Sequence, residues 1–472
     1  MRWVPHNMSH SMINIKNHQA IHMVGIGGAG MSGLALNLAK MGKIVSGSDI
    51  AENENVKNLV SAGIPISIGH NAGNISSAID LIVTSAAIKP DNPELDFGRL
   101  RDIPILKYSE MLGILMGLKT GIAVAGTHGK TTTTSMIAHI LETAGMGPSF
   151  IVGGLSPNFN NMGYKIGNGK YFIAEACEYD RSFHNLIMRH AIINNIEEDH
   201  LDYYKDLEEI IESFYHFASK IPAEGFLFYA KHSRNTGRFV HELGCNTVSY
   251  SIDNSADFTA RDIVYNGSKT TFIIDDHETS IPFELNITGK HNIINALASI
   301  ACSKTIGVDY PDIQRALLSF KTPKRRFEVI YSNSIIIIDD YAHHPTEIES
   351  VLKSIKQIHK DKKLIAIFQP HQHSRTRFLL NDFARSLGYA DRVILPDIYF
   401  VRDNEEEKKL IHAKSLIVLL EKSGVSSLYL PSFQEILDHL KATIKGDEVV
   451  ITMGAGDVYK IAYSLKSFLE KR

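Results

Sequence analysis

Hydrophobic and polar positions follow two alternating patterns along this chain. Short apolar runs rich in β-branched residues are each followed by a longer segment in which apolar residues recur every three or four positions. The first pattern is typical of buried strands, and the second is typical of amphipathic helices. Strands and helices that alternate in this way predict parallel α/β sheets.

The strand-like runs fall into three series. The first series contains AIHMVGIGG, KIVSGSDI and DLIVTSAA, and the second contains GIAVAG, KYFIAEA and HAIINNI. The third contains SIIIIDD, KLIAIFQP, DRVILPDI and DEVVITMGAG, and it follows the basic turn KTPKRRFEVI. We therefore predict three α/β domains, at residues 20–118, 119–322 and 323–472. Residues 1–19 are predicted to be a disordered extension, and they lack the apolar run of a signal peptide.

Composition narrows the class of protein. The 472 residues carry 49 basic and 52 acidic side chains, a net charge of −3, which argues against a nucleic-acid partner held by bulk positive charge. The three scattered cysteines suggest neither disulfides nor a cysteine–zinc site, so we expect a reducing, cytoplasmic location. No apolar run is long enough to span a bilayer, so membrane insertion is not expected. The mixed-charge run RDNEEEKK predicts a solvated loop without chemistry.

The strongest candidate for chemistry is the glycine-rich loop GTHGKTTT, which follows a predicted strand and opens a predicted helix. Gly126 and Gly129 allow backbone N–H groups to close around phosphate oxygens, and Lys130 can reach the β- and γ-phosphates. The hydroxyl of Thr131 can bind Mg²⁺. Val124 stands where the usual pattern has a glycine, so the loop is a shortened variant. We predict that this loop binds ATP with Mg²⁺.

A second glycine-rich loop, GIGGAGMSG, lies near the N-terminus. Its glycines at Gly25, Gly27 and Gly30 have the spacing of a dinucleotide-binding loop. Asp49 ends the next predicted strand, where a carboxylate could accept a hydrogen bond from a ribose hydroxyl. Taken alone, these features suggest NAD. A plain packing role for the glycines is the alternative, because close contact between a helix and a strand also requires small residues.

Further polar side chains lie at predicted strand ends. Glu175 and His200 end two strands that follow the ATP loop, so both should reach the same sheet edge as Thr131. A hydroxyl, a carboxylate and an imidazole can together hold Mg²⁺, although histidine is an unusual ligand for so hard an ion. The later loops IDDYAHHPTEI and FQPHQHSRT are rich in histidine. Zinc at His371 and His373 is disfavoured, because no thiolate or obvious carboxylate completes a four-ligand set.

These motifs occur together in one order. GIGGAGMSGLA, TSAAIKPDNPE, GTHGKTTT and EACEYDRSF are followed by NIEEDHLDYY, GKHNIINALA, DDYAHHPTEI, FQPHQHSRT and MGAGD. In this order they resemble the Mur ligases, from about His22 to Ser464. The resemblance implies a Rossmann-like UDP-sugar domain, a central P-loop ATPase-like domain and a C-terminal Rossmann-like α/β domain. Within the family, the N-terminal motif is most similar to the members that use L-alanine.

The resemblance also implies an activity. The first glycine loop is expected to hold the diphosphate of UDP-N-acetylmuramate, and the second to hold the triphosphate of ATP. The lactyl carboxylate would take the γ-phosphate to give an acyl phosphate, and the amino group of L-alanine would then displace phosphate. The expected product is the first amino-acid adduct of the peptidoglycan precursor, formed with release of ADP.

The site residues implied by the resemblance form four groups. The metal group is Thr131, Glu175 and His200. The ATP group is Gly126, Thr127, His128, Gly129, Lys130, Thr131, Thr132, His291, Asn292, Asn295, Arg326 and Asp340. The UDP-sugar group is Gly25, Gly27, Gly28, Gly30, Ser48, Asp49, His70 and Ser85. The amino-acid group is Tyr341, His343, His371 and Arg375, of which the last three are expected to act in catalysis with Lys130.

Two departures from the family pattern stay open: Lys107 and Tyr108 stand where many relatives have two arginines, and Gln372 stands where a basic residue is common. Asn292 and Asn295 could be ordinary helix-cap residues. A ligase that recycles an intact peptide onto the same sugar nucleotide is the nearest alternative activity. An NAD-dependent dehydrogenase explains only the first glycine loop, and a non-catalytic nucleotide switch explains only the second. A homodimer is an open alternative to a monomer.

Overall fold

Three β-sheets follow one another along the chain in a computed structural model, which describes residues 13–252, 255–267, 269–401, 403 and 405–471. Parallel strands dominate each sheet, and helices alternate with the strands. The predicted three-domain α/β class is therefore confirmed. In the described part of the chain, no helix combines the length and the apolar composition that a membrane crossing requires.

The N-terminal sheet is fully parallel. Its elements are β1 Ala20–Val24, α1 Ala29–Lys40, β2 Ile44–Asp49, α2 Glu54–Ser61, β3 Ile66–Ile68, β4 Leu81–Thr84, α3 Pro93–Leu100, β5 Ile105–Lys107 and α4 Tyr108–Gly117. The strand order is β3-β2-β1-β4-β5. The order changes direction between β1 and β4, so the first glycine loop, which follows β1, lies at the switch point where such sheets bind ligands.

The middle sheet has ten strands. Its elements are β6 Thr120–Ala125, α5 Lys130–Thr143, β7 Ser149–Ser156, β8 Met162–Lys165, β9 Tyr171–Glu175, β10 His190–Ile193, α6 Leu207–Ala218, β11 Phe226–Ala230, α7 Arg234–Gly237, β12 Asn246–Ile252, β13 Phe258–Asn266, β14 Lys269–Asp275, β15 Ser280–Leu285, α8 Lys290–Thr305 and α9 Tyr310–Ser319. The strand order is β15-β14-β13-β12-β11-β10-β6-β9-β7-β8. β6, which leads into the ATP loop, pairs in parallel with β9 and β10.

Antiparallel strands extend both edges of the middle sheet, which departs from the purely parallel prediction. β14 pairs antiparallel with β13 and β15, and β8 pairs antiparallel with β7. Buried positions largely alternate with more exposed positions along β14, as expected of a strand that is covered on one face only. The fully buried strand β10 has no such alternation, because helices cover both faces at the centre of a parallel sheet.

The C-terminal sheet has six strands. Its elements are β16 Glu328–Ser332, β17 Ile336–Asp340, α10 Pro345–Ile358, β18 Lys363–Phe368, α11 His373–Phe378, α12 Leu380–Leu387, β19 Arg392–Leu395, α13 Glu405–Leu410, α14 Ala413–Lys422, β20 Ser426–Tyr429, α15 Phe433–Thr443, β21 Glu448–Met453 and α16 Tyr459–Leu469. The strand order is β16-β17-β21-β18-β19-β20, and only β16 runs antiparallel. The loops after β17 and β18 carry the histidine-rich motifs.

Two local predictions differ from the structure. Residues 1–12 of the predicted extension lie outside the described residues, but Ile15 is buried, and Lys43 donates hydrogen bonds to the carbonyls of Ile15 and His18. The run RDNEEEKK is not a loop throughout, because α13 begins at Glu405. The side chain of Asp403, in the same run, is buried, and it accepts a hydrogen bond from the Ser374 hydroxyl at 2.7 Å.

Candidate active site

The ATP loop connects β6 to α5 as the sequence predicts. Gly126 has φ 133° and Gly129 has φ 82°, a region of backbone conformation that favours glycine. A Cβ atom on Gly129 would also collide with the side-chain oxygen of Asn295. The loop therefore places its backbone N–H groups at the N-terminus of a long helix, which is a favourable place for phosphate.

Lys130 is fully engaged in the described structure. Its ammonium donates to the carbonyl of Gly126 at 2.6 Å and to the carbonyl of Thr127 at 3.2 Å. It also contacts both carboxylate oxygens of Glu178, at 3.0 and 2.9 Å. Burial alone would lower the pKa of Lys130, but the adjacent Glu178 carboxylate raises it above its ordinary value. The lysine is therefore charged, and Glu178 balances that charge.

The structure brings two of the three predicted metal ligands into contact. The hydroxyl of Thr131 donates to Glu175 at 3.2 Å, and the other oxygen of Glu175 accepts from the backbone N–H of Gly153 at 2.6 Å. Glu175 ends β9, as predicted. His200 does not end a strand, because β10 stops at Ile193 and His200 lies in the following loop with φ 55°.

His200 is close to acidic residues that the sequence reading missed. Its Nε2 atom lies 3.8 Å from Glu178 and 3.7 Å from Asp199. Possible ligand atoms of these three residues all lie within 4.8 Å of one another. The motifs EACEYDRSF and NIEEDHLDYY contain both acids, but the spacing along the chain did not show which carboxylate would face His200.

A cavity of about 430 Å³ lies beside the ATP loop, between the middle and C-terminal domains. Eight predicted ATP residues line it: His128, Gly129, Thr132, His291, Asn292, Asn295, Arg326 and Asp340. Asn292 donates to the carbonyl of Thr288 at 2.7 Å, and Asn295 accepts from the Thr133 hydroxyl at 3.2 Å. Both asparagines lie inside α8, whose N-cap is Gly289, so the interpretation of them as helix-cap residues is wrong. They make hydrogen bonds within the fold and also line the cavity.

Asp340 stabilises the backbone on either side of β17. Its carboxylate accepts hydrogen bonds from the backbone N–H groups of Phe327 and Ala342, both at 2.7 Å. Burial raises the pKa of Asp340 to about 6, although Arg326 acts in the opposite direction. Phe327 has φ 52°, so these bonds hold a strained turn next to Arg326.

His128, in the ATP loop, connects two domains. Its ring nitrogens lie 3.3 Å from Glu197 of the middle domain and 3.2 Å from Glu347 of α10. Burial alone would lower the pKa of His128, but Glu347 and Glu197 raise it to about 9. The sequence does not predict this role for Glu347. An acid three positions after the N-cap residue His344 is expected only to cap the helix.

A larger cleft, of about 960 Å³, joins all three domains. Ser32 of α1, Lys130 of α5 and His343 of the C-terminal domain all line it. None of the eight predicted UDP-sugar residues is among the described residues that line this cleft. The N-terminal domain instead contributes residues of α1 and the segment Asn53–Leu59.

Several predicted UDP-sugar residues make bonds inside the N-terminal domain. Ser48 is fully buried, and its hydroxyl donates to Glu94 at 2.5 Å and lies 3.0 Å from His70. Asp49 accepts from the backbone N–H of Gly27 at 2.8 Å. The Ser48 hydroxyl therefore helps to hold His70, and its contact with the UDP-sugar stays a prediction.

The predicted amino-acid residues cluster after β17 and β18. The ring of His343 lies 5.3 Å from that of Tyr341 and 6.2 Å from that of His371. Burial lowers the pKa of His343 to about 3, so its ring is neutral and only weakly basic. Arg375 is buried and donates to Asp199 at 2.7 Å, so one side of its guanidinium is already occupied.

A phosphate loop, an adjoining cavity and a cleft shared by three α/β domains define a multidomain nucleotide-binding enzyme. The chain belongs to the Mur ligase family. Residues 20–120 match the model "Mur ligase family, catalytic domain", residues 124–303 match "Mur ligase middle domain", and residues 325–456 match "Mur ligase, glutamate ligase domain". The family resemblance of the sequence motifs is thereby confirmed.

Relatives of known name match almost the whole chain. The UDP-N-acetylmuramate–L-alanine ligase of Caldanaerobacter subterraneus is 40% identical over 464 residues, covering 97% of this chain and 99% of that protein. The ligase of the same name from Clostridium acetobutylicum is 41% identical, covering 96% and 97%. The crystal structure of UDP-N-acetylmuramate-alanine ligase from Thermotoga maritima has TM-score 0.81 and 28% identity, covering 96% and 100%. A murein peptide ligase from Psychrobacter arcticus has TM-score 0.72 and 28% identity, covering 96% and 99%.

Proposed function

We propose that this Mur ligase joins L-alanine to UDP-N-acetylmuramate with hydrolysis of ATP to ADP. The observation that carries the proposal is the cleft to which all three domains contribute, with Lys130 and Thr131 of the phosphate loop in its wall. A ligase of this kind must bring together a nucleotide, an acid and an amine, and a three-walled cleft suits that requirement. Near-full-length relatives at 40% and 41% identity that carry this name support the choice of substrates.

The first chemical step activates a poor electrophile. The lactyl carboxylate of the UDP-sugar attacks the γ-phosphorus of ATP, the bond to the β-phosphate oxygen breaks, and an acyl phosphate and ADP form. Lys130 and Arg326 supply positive charge beside the transferring group; the Arg326 guanidinium approaches the Thr131 hydroxyl at 3.5 Å. Closure of the cleft on its substrates would exclude water and so protect the acyl phosphate from hydrolysis.

The second step forms the amide. The neutral amine of L-alanine attacks the acyl carbon to give a tetrahedral intermediate, the C–O bond to phosphate then breaks, and the nitrogen gives up one proton to the departing phosphate. The cluster of Tyr341, His343 and His371 lies where the C-terminal domain meets the phosphate loop, so we place the amine there. Arg375 is proposed to bind the amino-acid carboxylate with the donors that Asp199 does not use.

Magnesium is the proposed metal. The hydroxyl of Thr131 and the carboxylates of Glu175, Glu178 and Asp199 supply the oxygen donors that a hard cation prefers, with His200 beside them. When bound, the ion would neutralise charge that develops on the phosphoryl oxygens. The domain boundaries 20–118, 119–322 and 323–472 and the cytoplasmic location likewise remain proposals, and the homodimer stays a prediction.

Release of phosphate tests the function. Purified protein is incubated with ATP, Mg²⁺ and UDP-N-acetylmuramate, and the amino acids are supplied one at a time. L-alanine should give the fastest release, with glycine and L-serine slower, because one methylene is worth about 1–3 kcal/mol of discrimination. A preference for an intact tripeptide over L-alanine would overturn the proposal and favour the recycling ligase. Release that needs no UDP-sugar would contradict both.

A further inference from the structure

Every hydrogen of the Lys130 ammonium group is directed at a protein oxygen, so a phosphate must compete for this group. It carries three hydrogens, and its contacts are the carbonyls of Gly126 and Thr127 and the carboxylate of Glu178. The carbonyls belong to the loop itself and are compatible with bound phosphate. The Glu178 carboxylate is different, because it is an anion that contacts the same nitrogen that a β- or γ-phosphate must contact.

Glu178 is held in this position by the fold. Its side chain is only 4% exposed, and that of Lys130 is 17% exposed, so the pair is largely shielded from water. The Tyr204 hydroxyl donates to the backbone carbonyl of Glu178 at 2.5 Å, which fixes the segment that follows β9. A charge pair in such surroundings interacts more strongly than one on the surface.

The other acid of the same segment has different partners. Glu175 accepts from the Thr131 hydroxyl and from the N–H of Gly153, and neither contact involves Lys130. A phosphate on Lys130 therefore competes directly with Glu178 and not with Glu175. Of the two carboxylates, which are three positions apart in the sequence, only that of Glu178 would hinder the binding of a nucleotide phosphate to Lys130.

We propose that Glu178 makes nucleotide binding depend on a divalent cation, so that the site takes the metal complex and disfavours the free nucleotide. This inference rests on the proposed ATP-dependent function. Free nucleotide must displace Glu178 from Lys130 and then face it as a second anion in a shielded cleft. With a cation present, the displaced carboxylate gains a new partner beside His200 and Asp199, whose ligand atoms lie within 4.8 Å of its own.

The test measures the affinity for ADP by isothermal titration calorimetry, once in EDTA and once in excess Mg²⁺. The variant is Glu178→Gln, which keeps the shape of the side chain and removes its charge. Glu284→Gln is the matched control, because Glu284 pairs with Lys269 at 2.6 Å at the edge of the same sheet, away from the phosphate loop. In EDTA, Glu178→Gln should bind ADP about tenfold more tightly than the parent, because the anion that competes with phosphate for Lys130 has been removed.

The gain of affinity from Mg²⁺ should shrink in Glu178→Gln and stay unchanged in Glu284→Gln. Equal or weaker binding of ADP by Glu178→Gln in EDTA would overturn the inference while leaving the proposed function intact. Glu178→Asp, whose shorter carboxylate is withdrawn from Lys130, should shift the affinity in the same direction by a smaller factor and decides the matter if the glutamine variant does not fold. A parent protein that binds no ADP even with Mg²⁺ would overturn both this inference and the proposed function.

Discussion

The middle domain meets its two neighbours through junctions that differ in how much of the contact is apolar. Towards the N-terminal domain, Leu112 and Leu115 of α4 belong to the same buried apolar cluster as Phe183 and Leu186 of the middle domain. The approach is close, because a Cβ atom on Gly113 would collide with the carbonyl of Asn185. This apolar junction is continuous with the core of both domains.

The junction with the C-terminal domain is polar. Its contacts join Arg375 to Asp199, His128 to Glu347 and Ser350 to His291, the last at 2.8 Å. Among the described residues, the two apolar clusters of the C-terminal domain contain no residue before Phe327. The polar junction therefore contains the nucleotide cavity and the predicted catalytic groups, whereas the apolar junction contains no predicted catalytic residue.

The difference shows which junction can open. Separating an apolar junction exposes its whole surface to water at a cost that grows with area. Polar groups can exchange their partners for water, so opening the polar junction costs less. We expect substrates to enter by movement of the C-terminal domain while the other two domains stay together as one body.

The largest expected effect is on the rate of the chemical step and leaves both domain junctions unchanged. Lys130 lines the cleft shared by the three domains, and Lys130→Ala should lower kcat by about a thousandfold, because electrostatic stabilisation of the transition state is lost. ADP formation under saturating Mg²⁺ measures the change. Lys165→Ala, which removes a surface pair with Glu142, is the control and should keep normal turnover. Near-normal activity of Lys130→Ala would remove the phosphate-loop assignment.

A cavity in the apolar junction should destabilise two domains at once. Leu112 is 2% exposed, and Leu112→Ala should lower the free energy of unfolding by about 2–5 kcal/mol. Denaturant unfolding should show the loss in a transition shared by the N-terminal and middle domains. Leu440→Ala, in a buried cluster of the C-terminal domain, is the matched control and should affect a separate transition. A loss confined to the N-terminal domain would refute the shared junction.

Breaking the polar junction should affect one substrate most. Arg375→Ala removes the partner of buried Asp199 and the proposed site for the amino-acid carboxylate, so the KM for L-alanine should rise about 10- to 100-fold. The KM values for ATP and UDP-sugar should change much less. Arg377→Ala is the matched control, since Arg377 lies on the same helix but pairs with Glu407 inside the C-terminal domain. An unchanged KM for L-alanine would show that Arg375 has only a structural role.

The smallest expected effect is a pH dependence of the polar junction. The pKa of His128 is raised to about 9 by Glu347 and Glu197, against an ordinary value of 6.5. The stabilisation of the folded protein by this charge is therefore complete below about pH 6.5 and is lost as the pH rises through about 9. His344, whose ring lies 4.7 Å from that of His128, is kept neutral by burial, which lowers its pKa.

Thermal unfolding between pH 6 and 9.5 measures this dependence. The parent should lose stability towards the upper end relative to His128→Gln, whose profile should be flatter there. Parallel profiles for the two proteins would mean that the charge of His128 does not hold the junction.

The sequence predicted the elements that depend on local chemistry. The loop from Gly126 to Thr131 was placed correctly because glycines, lysine and the flanking periodicities all indicate the same turn. The segment that forms α13 is predicted to be a loop because a run of mixed charges has no apolar period. The helix nevertheless begins with three acidic residues, which favour a helix N-terminus.

The pairing of charges could not be predicted in the same way. Glu347 lies more than two hundred residues from His128, and Asp199 is similarly remote from Arg375, so only the folded chain shows that they meet. The sequence motif predicts a ligand for Arg375 but not its pairing with Asp199, because Asp199 lies in a loop, which has no hydrophobic periodicity. Sequence patterns therefore do not predict these long-range polar contacts, which form the junction between the middle and C-terminal domains.

A distance measurement across both junctions tests the central claim, that only the polar junction opens. Nitroxide labels are placed on cysteines at exposed positions 57, 212 and 421, one in each domain, in a protein whose native cysteines have been replaced. The account predicts a narrow distance distribution between positions 57 and 212 in all states. Between positions 212 and 421 it predicts a broad distribution without ligands, which narrows when a non-hydrolysable ATP analogue and UDP-N-acetylmuramate are added. Equal widths for both pairs, or no response of the second pair to ligands, would contradict it.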